Sequence, residues 1–189
     1  MWVGADPGGQ KAFGIALLSI SGDFKTHCVS CASEAVNLIH VPPLGVGVDA
    51  PLWWSAGRSS DRKADQWIRT TYRISSGTVQ AANSLRGAAL VQGMMFVSLL
   101  RAKFGPVPVT EVHPKAVAKA LGGWGCQTLI GLGLPPEHRL EHERDAALAA
   151  IAAREGFEGR WTKDLSRERH EQEQDPDSYW LSPVRYFWP

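Results

Sequence analysis

Cysteine, surplus charge and long apolar runs are all scarce in this sequence, and each shortage excludes a class of protein. Three cysteines in 189 residues are too few for a disulfide framework, so we expect free thiols and a reducing, cytoplasmic environment. With 20 Lys and Arg against 19 Asp and Glu, the net charge is only +1, which excludes a polybasic nucleic-acid coat but not a local basic patch. The longest apolar stretch, 88–100, is too short to cross a bilayer. The opening residues lack the pattern of a signal peptide, so we expect no membrane contact.

What is present is an ordinary globular composition, 44% apolar and 21% charged, with strand and helix signals in a regular succession. Apolar runs and helical periodicity predict strands at 2–5, 13–20, 24–31, 45–48 and 107–112, and helices from about 33, at about 83–103 and at 137–155. The order βββαβαβα predicts an α/β fold with a mixed five-stranded sheet and helices on both faces. We expect one domain over 1–189, with a helical insert at about 55–78 and an aromatic tail at about 176–189.

Three aspartates occupy positions where catalytic or ligand-binding residues are expected. Asp6 and Asp49 each follow a short apolar strand, and open α/β sheets bind ligands at the carboxyl ends of their strands. Asp145 lies early in the last helix, on a stripe with small alanines that allow close packing on the sheet. Each aspartate also has a plainer interpretation. Asp6 could form a turn before Pro7, Asp49 could be an ordinary strand-end residue, and Asp145 could be a solvated charge on the helix surface. Together the three aspartates predict a shared site.

A shared site of this kind favours a divalent metal. Clustered aspartates repel one another unless a cation neutralises them, and carboxylate oxygens suit Mg²⁺ or Mn²⁺. Two such ions, about 3.5–4 Å apart, activate a water and stabilise the leaving oxygen in phosphodiester cleavage. We therefore predict that Asp6, Asp49 and Asp145 are metal ligands and catalytic residues.

Several motifs resemble those of known nuclease families. The opening motif 4–9, with 13–16, looks like the first motif of RuvC-type Holliday-junction resolvases, and the helix 142–150 resembles their last acidic helix. A closer resemblance is to the domain-of-unknown-function-429 family, described as predicted ribonuclease H-like nucleases. Its similar segments are 46–52, 60–62, 111–114, 142–150 and the aromatic close at 179–189. The resemblance implies a ribonuclease H-like fold, whose element order agrees with the predicted one, and a divalent-metal carboxylate site.

Glu111 and His142 extend the predicted site. The resolvases have Glu where Asp49 stands and a further acid where His142 stands, so we interpret His142 as a metal ligand or a proton-transfer group. Glu111 ends the predicted fifth strand. Three roles are open for it there: binding the metal, orienting His113, or pairing with Lys115 at the strand end. Glu111 and His142 are therefore counted with the predicted catalytic residues.

A basic and aromatic segment follows Asp49 and predicts a substrate-binding surface. Its cations are suited to phosphate and its aromatic rings to base stacking, whereas a solvated helix face is the alternative. The predicted substrate-binding residues are Arg58, Arg62, Lys63, Arg69 and Trp67.

These features favour a nuclease that depends on Mg²⁺ or Mn²⁺ and acts on nucleic acid. Two alternatives stay open. One is a phosphoryl-transfer enzyme related to the actin-like and sugar-kinase ATPases, suggested by the turn 6–9. The other is a ribonuclease H-like binding module without catalysis. The short chain, with no second glycine-rich phosphate motif after Asp49, weighs against the ATPase. A homodimer is left open.

Overall fold

The computed structural model describes residues 1–9, 11–56, 61–80, 87–134 and 140–189. Its strands are β1 (Trp2–Asp6), β2 (Phe13–Leu18), β3 (Phe24–Val29), β4 (Gly45–Val48), β5 (Val109–Glu111), β6 (Lys163–Asp164), β7 (Val184–Arg185) and β8 (Phe187–Trp188). Its helices are α1 (Ala32–Asn37), α2 (Lys63–Tyr72), α3 (Ala88–Phe104), α4 (Pro114–Ala120), α5 (Gln127–Gly131) and α6 (Glu141–Phe157), with a 3₁₀ turn at Leu165–Arg167.

A mixed sheet of six strands, in the order β3-β2-β1-β4-β5-β7, forms the centre of the described chain. β1, β2 and β3 pair antiparallel, whereas β4, β5 and β7 continue from β1 in parallel. The α/β prediction is confirmed, but the predicted number of five strands is wrong. The sixth strand, Val184–Arg185, comes from the aromatic tail, and two residues are too few for a periodicity signal.

Glycines let α6 lie unusually close to one face of this sheet. Gly4, Gly14 and Gly47 are on the three adjacent strands β1, β2 and β4. A Cβ added at Gly4 would lie 1.9 Å from the carbonyl oxygen of Ala146, and one at Gly14 would lie 2.0 Å from that of His142. Because no side chain fits there, the backbone of α6 packs directly on the strands, which fixes the depth of the side chains near its start.

The opposite face of the sheet is covered by α3. Successive residues of a strand point to opposite faces, so Val48 points away from α6 and lies beside Gly93 of α3, where an added Cβ would be 3.7 Å from Val48 Cγ1. Phe96 of α3 packs on Phe13 of β2, with ring centroids 5.7 Å apart. The prediction of helices on both faces is therefore confirmed.

The helices differ from the predicted ones mainly at their boundaries. α3 begins at Ala88 and α6 at Glu141, while the predicted starts near 83 and 137 lie outside the described residues. α2 is the helix expected within the insert at 55–78, of which 57–60 also lie outside. Among the described residues, no helix is long and apolar enough to cross a membrane.

Candidate carboxylate site

Asp6 and Asp49 lie side by side at the carboxyl edge of two parallel strands. Asp6 ends β1, and Asp49 directly follows β4. The Asp49 N–H donates to the carbonyl of Ala5 at 2.9 Å, which fixes the two aspartates next to each other. Asp145 comes from the second turn of α6, at the depth set by the packing of that helix on Gly4. Two strands and one helix thus carry the three aspartates to this edge of the sheet.

The pKa values of the aspartates show that their charges act on one another. Burial raises the pKa of Asp49 well above its usual value, and the charges of Asp6 and Asp145 raise it further. Burial also raises the pKa of Asp145, against the opposing charges of Arg144 and Lys115. The Asp145 side chain is only 2% exposed, so water screens its charge poorly. Burial and mutual repulsion therefore disfavour the ionised form of these carboxyls, which a bound cation would favour.

His142 binds Asp6 directly. Its Nδ1 lies 2.6 Å from Asp6 Oδ2. Burial raises the pKa of Asp6 to about 6, with His142 lowering it and Asp145 raising it further. The Asp6 carboxyl therefore titrates close to neutrality, beside an imidazole that can hold or release a proton.

Two cations border Asp145. Arg144 donates from Nε and Nη2 to Asp145 Oδ1, each at 3.2 Å, and Lys115 Nζ lies 4.0 Å from Oδ2. Lys115 also binds Glu141 Oε1 at 2.6 Å. The alternative pairing of Lys115 with Glu111 is therefore corrected, because the carboxylate that Lys115 binds is on α6.

A cavity of about 170 Å³ opens beside Asp6 and Asp49. Its walls also include His113, Lys115 and residues 77–78 and 80. The cavity has room for several water molecules or one phosphate group, and its lining includes two carboxylates and one ammonium.

The donor set at this edge fits a hard divalent cation. The oxygens of Asp6, Asp49 and Asp145 are the ligand type that Mg²⁺ and Mn²⁺ prefer. Their raised pKa values reflect the repulsion and poor solvation that a bound cation relieves. In donor chemistry these three residues suit such an ion, but they are not among the described residues whose ligand atoms all lie within 4.8 Å of one another.

Glu111 and Arg62 occupy positions different from the predicted ones. The Glu111 side chain has no exposed area, and its Oε2 and Oε1 accept from Arg62 Nη1 and Nη2 at 2.6 and 2.5 Å. Arg62 also donates from Nε and Nη2 to Asp65 at 2.9 and 2.8 Å. The prediction that Arg62 contacts substrate is corrected, because a guanidinium buried between two carboxylates is not accessible to a phosphate. Both carboxylate oxygens of Glu111 accept hydrogen bonds from Arg62, so Glu111 contributes to this buried pair.

One set of three potential ligands in the described part of the chain has all its ligand atoms within 4.8 Å of one another, namely Asp65, Glu111 and His113. The guanidinium of Arg62 already lies on both carboxylates. It keeps the pKa of Asp65 below its usual value in spite of burial, which acts to raise it. His113 Nδ1 contacts the Val112 carbonyl at 2.9 Å. A metal ion would have to displace Arg62, because the guanidinium already neutralises both carboxylates of this set.

The remaining predicted substrate contacts are engaged within the protein. Lys63 Nζ lies 3.7 Å from Glu168 Oε2 and is half exposed. Arg69 binds Asp61 Oδ2 at 2.5 Å and the Val79 carbonyl at 2.9 Å.

Trp67, the predicted stacking residue, lies in an aromatic group. It packs edge-on against Tyr72 and Trp188, with centroid distances of 5.7 and 5.9 Å, and Lys163 Nζ lies 3.8 Å from its ring centroid. These contacts occupy much of the surface that a base would need. Arg58 lies outside the described residues.

The sequence interpretation missed Arg144 and misjudged the role of Lys115. No sequence pattern singled out Arg144, whose guanidinium lies 3.9 Å from the centroid of the Trp124 ring and donates to Asp145. The spacing of Lys115 and Glu141, on separate helices, gives no local signal of their ion pair. By contrast, the Arg62 and Asp65 pair has the i,i+3 spacing of a helical ion pair, which was a usable signal.

Comparison of the chain with protein-family models, with curated proteins and with solved structures gives no match in any of the three. The resemblance of its motifs to ribonuclease H-like nucleases therefore stays a prediction.

Proposed function

We propose that this chain hydrolyses phosphodiester bonds of nucleic acid, with Mg²⁺ or Mn²⁺ held by Asp6, Asp49 and Asp145 on a ribonuclease H-like fold. The observation that carries the proposal is that three carboxylates with raised pKa values come to one edge of the sheet, where two of them, Asp6 and Asp49, line a cavity large enough for a phosphate group. The strand order β3-β2-β1-β4-β5, with only β2 antiparallel to its neighbours, supports the fold assignment because it agrees with the element order of that class.

The chain's own residues supply positioning and proton transfer in this proposal. A bound divalent cation supplies the activation of water and the stabilisation of the leaving oxygen. His142 orients the Asp6 carboxylate through its 2.6 Å contact and holds or releases a proton at Nδ1. Lys115, on the cavity wall, offers its ammonium to a phosphate oxygen. Burial of Asp145 keeps water from screening the charges of the site.

The test measures Mn²⁺ binding first and cleavage second. Titration calorimetry should detect Mn²⁺ binding to the wild type, and Asp6→Asn and Asp145→Asn should weaken it strongly while circular dichroism shows an intact fold. Glu171→Gln, an exposed carboxylate far along the chain, is the matched control and should bind like the wild type.

Cleavage is then assayed at low salt with single-stranded DNA, RNA–DNA hybrid, duplex DNA and branched DNA, because the small net charge of +1 gives little long-range attraction. Cutting that requires Mg²⁺ or Mn²⁺ and disappears in both aspartate variants supports the proposal. If no substrate is cut under conditions where Mn²⁺ binding is established, the nuclease proposal fails and a non-catalytic binding module replaces it.

A further inference from the structure

We propose that a groove at the amino ends of β5 and β7 binds a small organic anion with an apolar body, such as an aromatic or branched carboxylate. The groove has a volume of about 500 Å³, against about 170 Å³ for the cavity beside Asp6 and Asp49. It lies beside Val109, where β5 starts, and Pro183, which precedes β7. The carboxylate site lies at the carboxyl ends of β1 and β4, which are parallel to β5 and β7. The groove is therefore separate from the site of the proposed function.

The walls of this groove are mostly apolar and fit the body of such a ligand. They come from the segment between α3 and β5, the end of α6 and the residues before β7, and they include Pro106, Val107, Pro108, Phe157 and Pro183. Three of these five residues are prolines, whose rings fix the backbone, so little conformational entropy is lost when a ligand binds. The volume lies within the range of about 300–1,000 Å³ that is usual for small-molecule sites.

Arg101 gives the groove a positive charge that no carboxylate of the described residues neutralises. Its Nη1 donates to the carbonyl oxygens of Leu181 and Ser182, and its Nη2 donates to those of Val107 and Pro183. Its Nε is buried and has no acceptor. Burial lowers the pKa of Arg101 from its usual value, because the charged guanidinium is poorly solvated. Carbonyl oxygens hold this guanidinium in place without cancelling its charge, so an anion in the groove would stabilise it.

Arg185, the second cation of the groove, offers free hydrogen-bond donors. Its Nη1 donates to Asp177, and its Nε lies 3.8 Å from Asp164 Oδ2. No described residue accepts from its Nη2, which leaves that nitrogen for a ligand oxygen. Arg167 contacts the same two aspartates, at 3.1 and 3.5 Å, and helps to hold them.

The charges of the lining decide what kind of ligand fits. The described residues that line the groove include two arginines and no acidic residue. An uncharged apolar ligand would leave the Arg101 charge without a counter-ion, and a cation would be repelled by both guanidinium groups. The occupant that complements both the walls and the charges is therefore an anion with an apolar body.

The experiment compares two fluorescent probes on the full-length protein. One is 1-anilinonaphthalene-8-sulfonate, an aromatic anion, and the other is N-phenyl-1-naphthylamine, which has the same rings without the sulfonate. The wild type should bind one sulfonate probe per chain, about tenfold more tightly than the uncharged probe, because only the sulfonate is attracted to the guanidinium groups. Pro106→Trp puts a large ring in the groove wall and should weaken the binding of both probes.

Two arginine variants test the charge. Arg185→Met should remove most of the preference for the sulfonate probe and leave the affinity for the uncharged probe unchanged. Arg101→Met should act in the same way. Because Arg101 also holds the chain before β7, thermal unfolding accompanies this variant, and Arg185→Met decides the outcome if the fold is lost. Lys25→Met, exposed on β3 at the other edge of the sheet, is the matched control and should change neither affinity.

Three outcomes would overturn the proposal. Equal affinities of the two probes for the wild type, or an unchanged preference in Arg185→Met, would show that the groove does not select an anion. Unchanged binding of both probes to Pro106→Trp would place them elsewhere, for example on the exposed apolar side chains of Val91 and Met95 in α3. None of these outcomes concerns Mn²⁺ binding at the carboxylate site, so the proposed function is tested separately.

Discussion

The guanidinium of Arg62 holds the carboxylate of Glu111 through two parallel hydrogen bonds, Nη1 to Oε2 at 2.6 Å and Nη2 to Oε1 at 2.5 Å, with neither side chain exposed. Glu111 Oε2 also accepts from the Leu52 N–H at 2.9 Å. The pair therefore connects the start of α2 with the end of β5 and with the segment that follows Asp49. It stabilises the backbone beside the candidate site without entering the site.

Arg62→Ala should destabilise the protein by about 3–5 kcal/mol, because it leaves Glu111 and Asp65 buried without their cation. Arg62→Lys should restore little of the loss, since an ammonium cannot make the paired contacts of a guanidinium. Urea unfolding at pH 7 measures both. Arg167→Ala, an exposed arginine, is the control and should cost less than about 1 kcal/mol. Equal stability of Arg62→Ala and the control would show that the buried pair has no structural role.

Gly4→Ala should destabilise the fold by about 3 kcal/mol or more, because the added Cβ would overlap the Ala146 carbonyl, 1.9 Å away, and push α6 off the sheet. Gly131→Ala is the matched control, since nothing lies within 4 Å of an added Cβ there. Thermal unfolding of both variants tests this. A Gly4→Ala protein as stable as Gly131→Ala would mean that α6 does not pack on β1 as described.

The strand ends that carry Asp6 and Asp49 could be predicted from sequence, because each follows a short apolar run that a proline or turn interrupts. The position of His142 near Asp6 could be predicted only in part. It depends on Gly4 and Gly14 meeting the helix backbone, and close approach between distant segments leaves no periodic signal.

The role of the basic segment could not be predicted from its composition. Arg62 is buried because Asp65 and Glu111 are both within reach, and Glu111 is far away in sequence. Trp67 is covered by Trp188 and Lys163 from the C-terminal part of the chain. A segment rich in cationic and aromatic residues has the same sequence pattern whether its side chains contact a ligand or one another.

Asp6 should make the metal-free protein less stable as the pH rises from about 4 to 6. Its pKa is about 6 in the folded protein against an ordinary value of 3.8. Between these values the folded state binds more protons than the unfolded state, so the free energy of unfolding falls with rising pH. A pKa increase of this size corresponds to roughly 3 kcal/mol.

Asp6→Asn removes this titration, so the variant should be more stable than the wild type at pH 7.5, and the difference should shrink toward pH 4. Urea unfolding in the presence of a chelator measures the difference at both pH values. Glu171→Gln is the exposed control. A wild type at least as stable as Asp6→Asn at pH 7.5 would contradict the raised pKa.

His142→Ala should slow cleavage by about 10²–10⁴-fold at saturating Mn²⁺, the usual contribution of a group that orients a ligand or transfers a proton. The fold should be kept, because His142 is 40% exposed. Single-turnover kinetics on whichever nucleic acid the wild type cuts gives the ratio. His170→Ala, an exposed histidine, is the control, and a His142→Ala rate equal to that of the control would remove His142 from the mechanism.

The central claim is that Asp6, Asp49 and Asp145 bind the metal ion, and a crystal soaked in Mn²⁺ tests it most directly. Anomalous diffraction should show Mn²⁺ in contact with carboxylate oxygens of these three residues. A peak at Asp65, Glu111 and His113 instead, or no peak at either place, would contradict the account.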